Sequence, residues 1–182
     1  MDTTFGTIDF QNGASVPATT LRLADGPIDL SWHHCTTTSE FLGEFFALQK
    51  VEKTPEANET RHGIGYLANE LLENAIKFRR PGDILIESSL DGARFEMKVT
   101  NFVEPAVAAR FQDLLAEVTS RDPGDLLIER IEANAADSSS SGSGLGLLTL
   151  MNDYGAELGW IFRQHAAGDP IQLDTYAALT LY

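Results

Sequence analysis

The chain reads as an α/β protein, a single α/β sandwich in which helices cover one face of a mixed, mostly antiparallel sheet. Three features lead there. Residues 62–78 carry Ile64, Leu67, Ala68, Leu71, Leu72, Ala75 and Ile76 at helical spacing, an apolar stripe along one side. Residues 84–90 and 94–101 have strand character and are joined by Asp91-Gly92, whose glycine tolerates the positive φ of a tight hairpin. Residues 158–164 and 172–181 form a second strand pair that closes the chain. Helices and strands follow one another as ββα–α–ββ–αα–α–ββ, which predicts a sheet layer and a helix layer.

The other elements follow in order. Stretches 5–10 and 20–32 are β-rich, and Asp25-Gly26-Pro27 is a turn signal inside the second. Thr37 with Glu40 three residues on is a capping-box pattern, so a helix is expected to start there and run to about residue 50. Residues 52–60 are charged and hold Pro55, which predicts a loop before the 62–78 helix. Pro81-Gly82 ends that helix. Pro105 suits the first turn of a helix over 105–119. A shorter helix, about 125–135, follows Asp122-Pro123-Gly124. The serine run 138–141 is of low complexity and expected to be mobile. Gly142-Ser143-Gly144-Leu145-Gly146 opens a helix through about residue 154, where Gly155 stands to stop it. No internal repeat or domain boundary is visible. Residues 1–182 are therefore expected to form one domain, with N-terminal strands and a helix over 1–60 and the core over 63–182.

A chain of 182 residues, 43% of them apolar, can bury a full core. It has no run long enough to span a bilayer and no signal-peptide pattern at its start. Cys35, the single cysteine, cannot form an internal disulfide, and a reducing, cytoplasmic setting is the simplest expectation. Thirteen Lys and Arg against 27 Asp and Glu give a net charge of −14. Such a surface repels nucleic acid and anionic membrane and excludes both as expected partners. It also repels free nucleotides, so a nucleotide site must act through a metal ion and local backbone donors. A protein partner, with a basic patch, suits the rest of the surface.

Two constellations carry chemistry. At about 100° per residue, Glu70, Asn74 and Lys77 fall within an arc of about 60° that flanks the apolar stripe. One helix can thus bury one side and present a carboxylate, an amide and an ammonium to one cleft. Mg²⁺ prefers hard oxygen ligands and keeps several waters, so the amide oxygen of Asn74 plus phosphates would suffice. Glu70 could accept a proton, and Lys77 could meet a phosphate. Each residue alone reads as part of a solvated helix face; the three together, with the glycine segment, point to a site. In the second constellation, Gly142, Gly144 and Gly146 precede a helix, where backbone amides and the helix dipole attract phosphate. No Gly-Lys-Ser/Thr follows, and Leu147 stands where a third dinucleotide-binding glycine would be, so neither a Walker A loop nor a G-x-G-x-x-G fingerprint is present.

Glu70-x-x-x-Asn74-Ala75-x-Lys77 resembles the N-box of the GHKL (histidine-kinase-like) ATPases, and Gly142-x-Gly144-Leu145-Gly146-Leu147 resembles their G2 box. The two motifs stand in the family's order, about 65–70 residues apart. The resemblance implies a Bergerat-type sandwich with ATP between the N-box helix and a lid over 102–141. It also implies that Asn74 binds Mg²⁺ and Glu70 acts near the γ-phosphate. Gly142, Gly144 and Gly146, with Leu145 between them, would wrap the phosphates. Asn101 stands where the family has the Asp of an Asp-x-Gly-x-Gly box, and both glycines of that box are absent. An Asn carbonyl can accept from the adenine amino group, but as a neutral and weaker acceptor.

Sensor kinases carry a phosphoacceptor histidine on a helical hairpin. Here His33 and His34 are expected at the end of a strand and His62 just before a helix, which suggests structural or surface roles. The chain is more similar to stand-alone members, the anti-sigma-factor serine kinases and SiaB-like (Slr-type) regulators. That likeness implies an ATP-binding, partner-switching protein Ser/Thr kinase acting on a small antagonist protein. The alternative is a catalytically degenerate module that regulates by protein binding alone. The N-terminal strands offer a place for homodimerisation.

Overall fold

A computed structural model describes residues 2–8, 19–25, 30–49, 55–136, 144–164, 166 and 168–181. Their elements run β1 (Thr3–Gly6), β2 (Thr19–Leu23), α1 (Trp32–Ala47), α2 (Pro55–Phe78), β3 (Ile84–Asp91), β4 (Arg94–Val103), α3 (Pro105–Val118), α4 (Pro123–Ala136), α5 (Leu145–Asp153), β5 (Glu157–Arg163) and β6 (Ile171–Thr180). The strands make one sheet in the order β1-β5-β6-β4-β3-β2. Every neighbouring pair is antiparallel, so the sheet is an α/β sandwich layer without the mixed character expected for it.

Strand alternation sorts side chains between the two faces. Ile84, Ile86, Phe95, Met97, Val99, Trp160, Phe162, Ala177 and Leu179 point to the helices and are buried. The opposite face carries the ion pairs Arg94–Glu157 at 2.9 Å, Lys98–Glu87 and Arg163–Asp174. α2 lies across β4 and β6 with the predicted stripe inward: Ile64, Leu67, Ala68 and Leu72 are fully buried. Each large one contributes roughly 1.5–3 kcal/mol of burial. Gly63 lets the helix come close to β6, since an added Cβ would lie 3.2 Å from Leu179. α1 packs along α2. α4 rests on α5 through a small separate cluster of Val118, Leu126 and Leu148.

Several expectations change. α1 begins at Trp32, where an extension of the second β stretch was expected; β2 itself ends at Leu23. The helix is capped upstream of Thr37: the Ser31 N–H donates to His34 Nδ1 at 2.9 Å. Thr37 instead sits inside the helix, its hydroxyl donating to the His33 carbonyl at 3.1 Å. His33 and His34 are therefore helical. The segment expected as a loop is helical from Pro55 onward, because proline at a first helical turn gives up an N–H that has no partner there anyway. This makes His62 a mid-helix residue, its Nδ1 2.8 Å from the Asn58 carbonyl oxygen. Phe102, the expected start of a lid, still belongs to β4. The hairpin at Gly92 (φ 57°) and the stop at Gly155 (φ 61°) form as expected. The serine run 138–141 and Gly142 lie outside the described residues. No helix among the described residues is long and apolar enough to cross a membrane.

Candidate functional site

The two constellations meet. Glu70, Glu73, Asn74 and Lys77 on α2 face Gly144 and Gly146 at the N-terminus of α5 across a cavity of about 150 Å³. Phe78, Phe111, Leu114 and Leu147 complete its wall. The first amides of a helix have no acceptor within it and carry the positive end of its dipole, so the α5 end of this cleft favours an anion.

The glycines here have different reasons. Gly144, the N-cap of α5, has φ 95°, a left-handed conformation that side chains resist. At Gly146 an added Cβ would overlap the Glu70 carboxylate, so any side chain there requires Glu70 to move. Glu70 is thus pressed against the first turn of α5. Burial first, and then the neighbouring Glu73, hold its carboxyl above the usual range. Glu73 accepts a hydrogen bond from Asn69 Nδ2 at 2.8 Å. The Lys77 ammonium lies 5.1 Å from the centre of the Phe78 ring.

A smaller cavity of about 20 Å³, which shares Asn74, Phe78, Phe111 and Leu147 with the first, reaches the sheet. Its polar lining is Asn74, Asn101 and Thr175; the rest is apolar and includes Leu71, Phe78, Phe111 and Trp160. Asn101 is 2% exposed, and its Nδ2 has no hydrogen-bond partner. A buried donor left unmade costs about 1–3 kcal/mol, so this amide asks for an acceptor. Asn101 pairs with Leu173 in the β4–β6 register, which brings Thr175 to the same face nearby. Phe111 of α3 closes the cavity, edge-on to Trp160 (6.3 Å, 87°) and to Phe162 (6.1 Å, 65°). Both cavities are below the roughly 300–1,000 Å³ of ordinary ligand sites. A nucleotide-sized ligand therefore needs more room than the described residues leave.

Of the residues expected from sequence, Glu70, Asn74, Lys77, Gly144 and Gly146 line the larger cavity, and Asn101 lines the smaller. Leu145 is the first residue of α5 and lines neither. Gly142 lies outside the described residues. None of His33, His34 and His62 lines either cavity. Among the described residues no three His, Cys, Asp or Glu side chains cluster as a metal cage, so a cation here would depend on Asn74, water and a ligand's own oxygens. Sequence reasoning missed Thr175, Phe111 and Tyr66. Tyr66 lies one turn before Glu70 and stacks on Tyr154 at 4.9 Å (15°), tying α2 to the end of α5. Its position on the Glu70 side of the helix was a signal; nothing local marks the other two.

No protein-family model matches the chain, and no curated protein gives a significant match to it.

Proposed function

We propose that this cleft binds Mg·ATP and that the protein is a partner-switching regulator of the GHKL kind, a protein Ser/Thr kinase acting on a small antagonist protein in the cytoplasm. The observation that carries the proposal is the meeting of Glu70, Asn74 and Lys77 with the glycine-led end of α5. The unpartnered amide of Asn101 at the far end of the same cleft supports it, as a polar group suited to the edge of a base.

In this proposal the amide oxygen of Asn74 would hold Mg²⁺. Lys77 and the α5 amides would hold phosphate, and Asn101 with Thr175 the base. When bound, Mg·ATP supplies the transferable phosphoryl group. Glu70 would accept the proton of a Ser or Thr hydroxyl; its raised pKa brings it nearer the pH at which a general base works best. Closing α3 would exclude water from the transfer. The net charge of −14 supports a protein partner with a basic patch and argues against nucleic acid or anionic membrane. β1 and β2 at the two sheet edges support homodimerisation through an edge.

A second reading is favoured by one observation. The smaller cavity has only about 20 Å³, with Phe111 packed on Trp160 at its wall, which suits a module that regulates by protein binding alone and has given up the nucleotide.

The thermal midpoint with and without Mg·ATP, run beside Asn74→Ala, tests the proposal. At 100 times Kd a ligand adds about 2.7 kcal/mol. For a chain of this size that raises the midpoint by roughly 5–10 °C. A rise lost in Asn74→Ala is the expected result; no rise at millimolar Mg·ATP moves the binding-module reading to first place. Glu70→Ala then separates the two, abolishing transfer to the partner in the first case and leaving partner binding unchanged in the second.

A further inference from the structure

We propose that this cleft accepts guanine nucleotides as readily as adenine nucleotides, because the polar side chains left to face the base among the described residues, Asn101 and Thr175, each work in both hydrogen-bonding directions. The inference rests on the nucleotide reading above and specifies its ligand class.

Among the described residues no charged side chain lines the smaller cavity. Its polar side chains are Asn101, Thr175 and Asn74, and Asn74 also lines the larger cavity, where its oxygen is assigned to Mg²⁺. A carboxamide has a donor end and an acceptor end of nearly equal shape and can turn over about its last bond. Adenine presents an amino donor beside a ring-nitrogen acceptor. Guanine presents a carbonyl acceptor beside a ring N–H donor. The Asn101 amide can meet either edge with two hydrogen bonds by turning over, and in both poses its orphaned Nδ2 gains the acceptor it lacks. Thr175 reaches the same face of the sheet, and its hydroxyl can donate to a ring nitrogen or accept from the 2-amino group of guanine. A carboxylate at position 101 would behave differently. It only accepts, so it would take the amino group of adenine and oppose the guanine carbonyl. The aromatic walls, Phe78, Phe111 and Trp160, present surfaces that either purine can stack on.

The test measures the affinity of the full chain for Mg·ATP and for Mg·GTP from the dependence of the thermal midpoint on ligand concentration. The two dissociation constants are expected within about tenfold of each other, whereas sites with fixed hydrogen-bond directions discriminate by about 10⁴–10⁵. Asn101→Asp should then weaken Mg·GTP at least about tenfold more than Mg·ATP, in the range of one lost bidentate pair. Should that buried carboxylate prevent folding, Asn101→Ala should weaken both nucleotides by the same factor. A wild-type preference for Mg·ATP beyond about 100-fold overturns the inference and leaves the nucleotide reading standing; so does an unchanged ratio in Asn101→Asp or an unequal loss in Asn101→Ala. A wild-type protein that responds to neither nucleotide overturns the nucleotide reading and this inference with it.

Discussion

Gly146→Ala should leave the fold almost untouched and weaken the cleft's hold on Mg·ATP. The added Cβ would overlap the carboxylate of Glu70, which is the far end of a flexible side chain, so the carboxylate rotates away. An off-rotamer side chain costs about 0.5–1.5 kcal/mol. Against that, Gly146 sits in the first turn of α5 with no positive φ, and replacing a helical glycine by alanine contributes up to about 0.5–1 kcal/mol. The two nearly cancel, and at roughly 2–4 °C per kcal/mol the midpoint should move by no more than about 4 °C. The rise with Mg·ATP should fall by about half. The methyl and the displaced carboxylate crowd the α5 amides, and a tenfold loss of affinity, about 1.4 kcal/mol, removes about half of a 2.7 kcal/mol stabilisation. Thermal and urea denaturation of wild type, Gly146→Ala, Glu70→Ala and the double variant form a complete cycle. The clash disappears once Glu70 is truncated, so the two changes should be non-additive in stability. A fall of more than about 10 °C in Gly146→Ala, strict additivity, or an undiminished Mg·ATP response would refute the reasoning.

Three further outcomes follow from other parts of the structure. Leu126→Ala empties the small cluster that anchors α4 on α5 and should cost about 2–5 kcal/mol locally; hydrogen exchange over 123–136 should accelerate about 30-fold or more while α2 stays protected, and equal acceleration in both would show that α4 is not a separate unit. Glu70→Gln should raise the midpoint at pH 7. Because the Glu70 pKa is raised in the folded chain, its contribution is fully present below the ordinary glutamate value of about 4.3 and is lost as pH rises through the raised value. The gain from the neutral isostere should therefore fade as pH falls toward 4, and a gain that persists there would contradict the assignment. Phe111→Ala should lower stability by about 2–3 kcal/mol, under the 3–5 of a fully buried ring, while opening the smaller cavity; an unchanged urea midpoint would mean that Phe111 does not pack on Trp160 and Phe162.

Local chemistry explains what could be foreseen. The 62–78 stripe, the Asp91-Gly92 turn and the glycine-led α5 each follow from periodicity or from a conformation few residues can adopt, and all three stand in the structure. The start of α1 was missed because Thr37 and Glu40 match a cap pattern that the Ser31–His34 interaction pre-empts. Pro55 by itself reads as a breaker, yet at a first helical turn its missing N–H has no partner to lose, so the helix starts there.

Which residues share a helix face and which glycines lead a helix can be read from the chain alone, because both are properties of a few consecutive dihedrals. It takes the folded chain to bring the Glu70 face of α2 against α5, Thr175 and Asn101 into one cavity, and Phe111 to its wall. Those neighbours come from strands and helices far apart in the chain. Their meeting depends on the sheet order and on how helices cover its apolar face. That order is chosen by the burial of the whole core, to which no local pattern gives access.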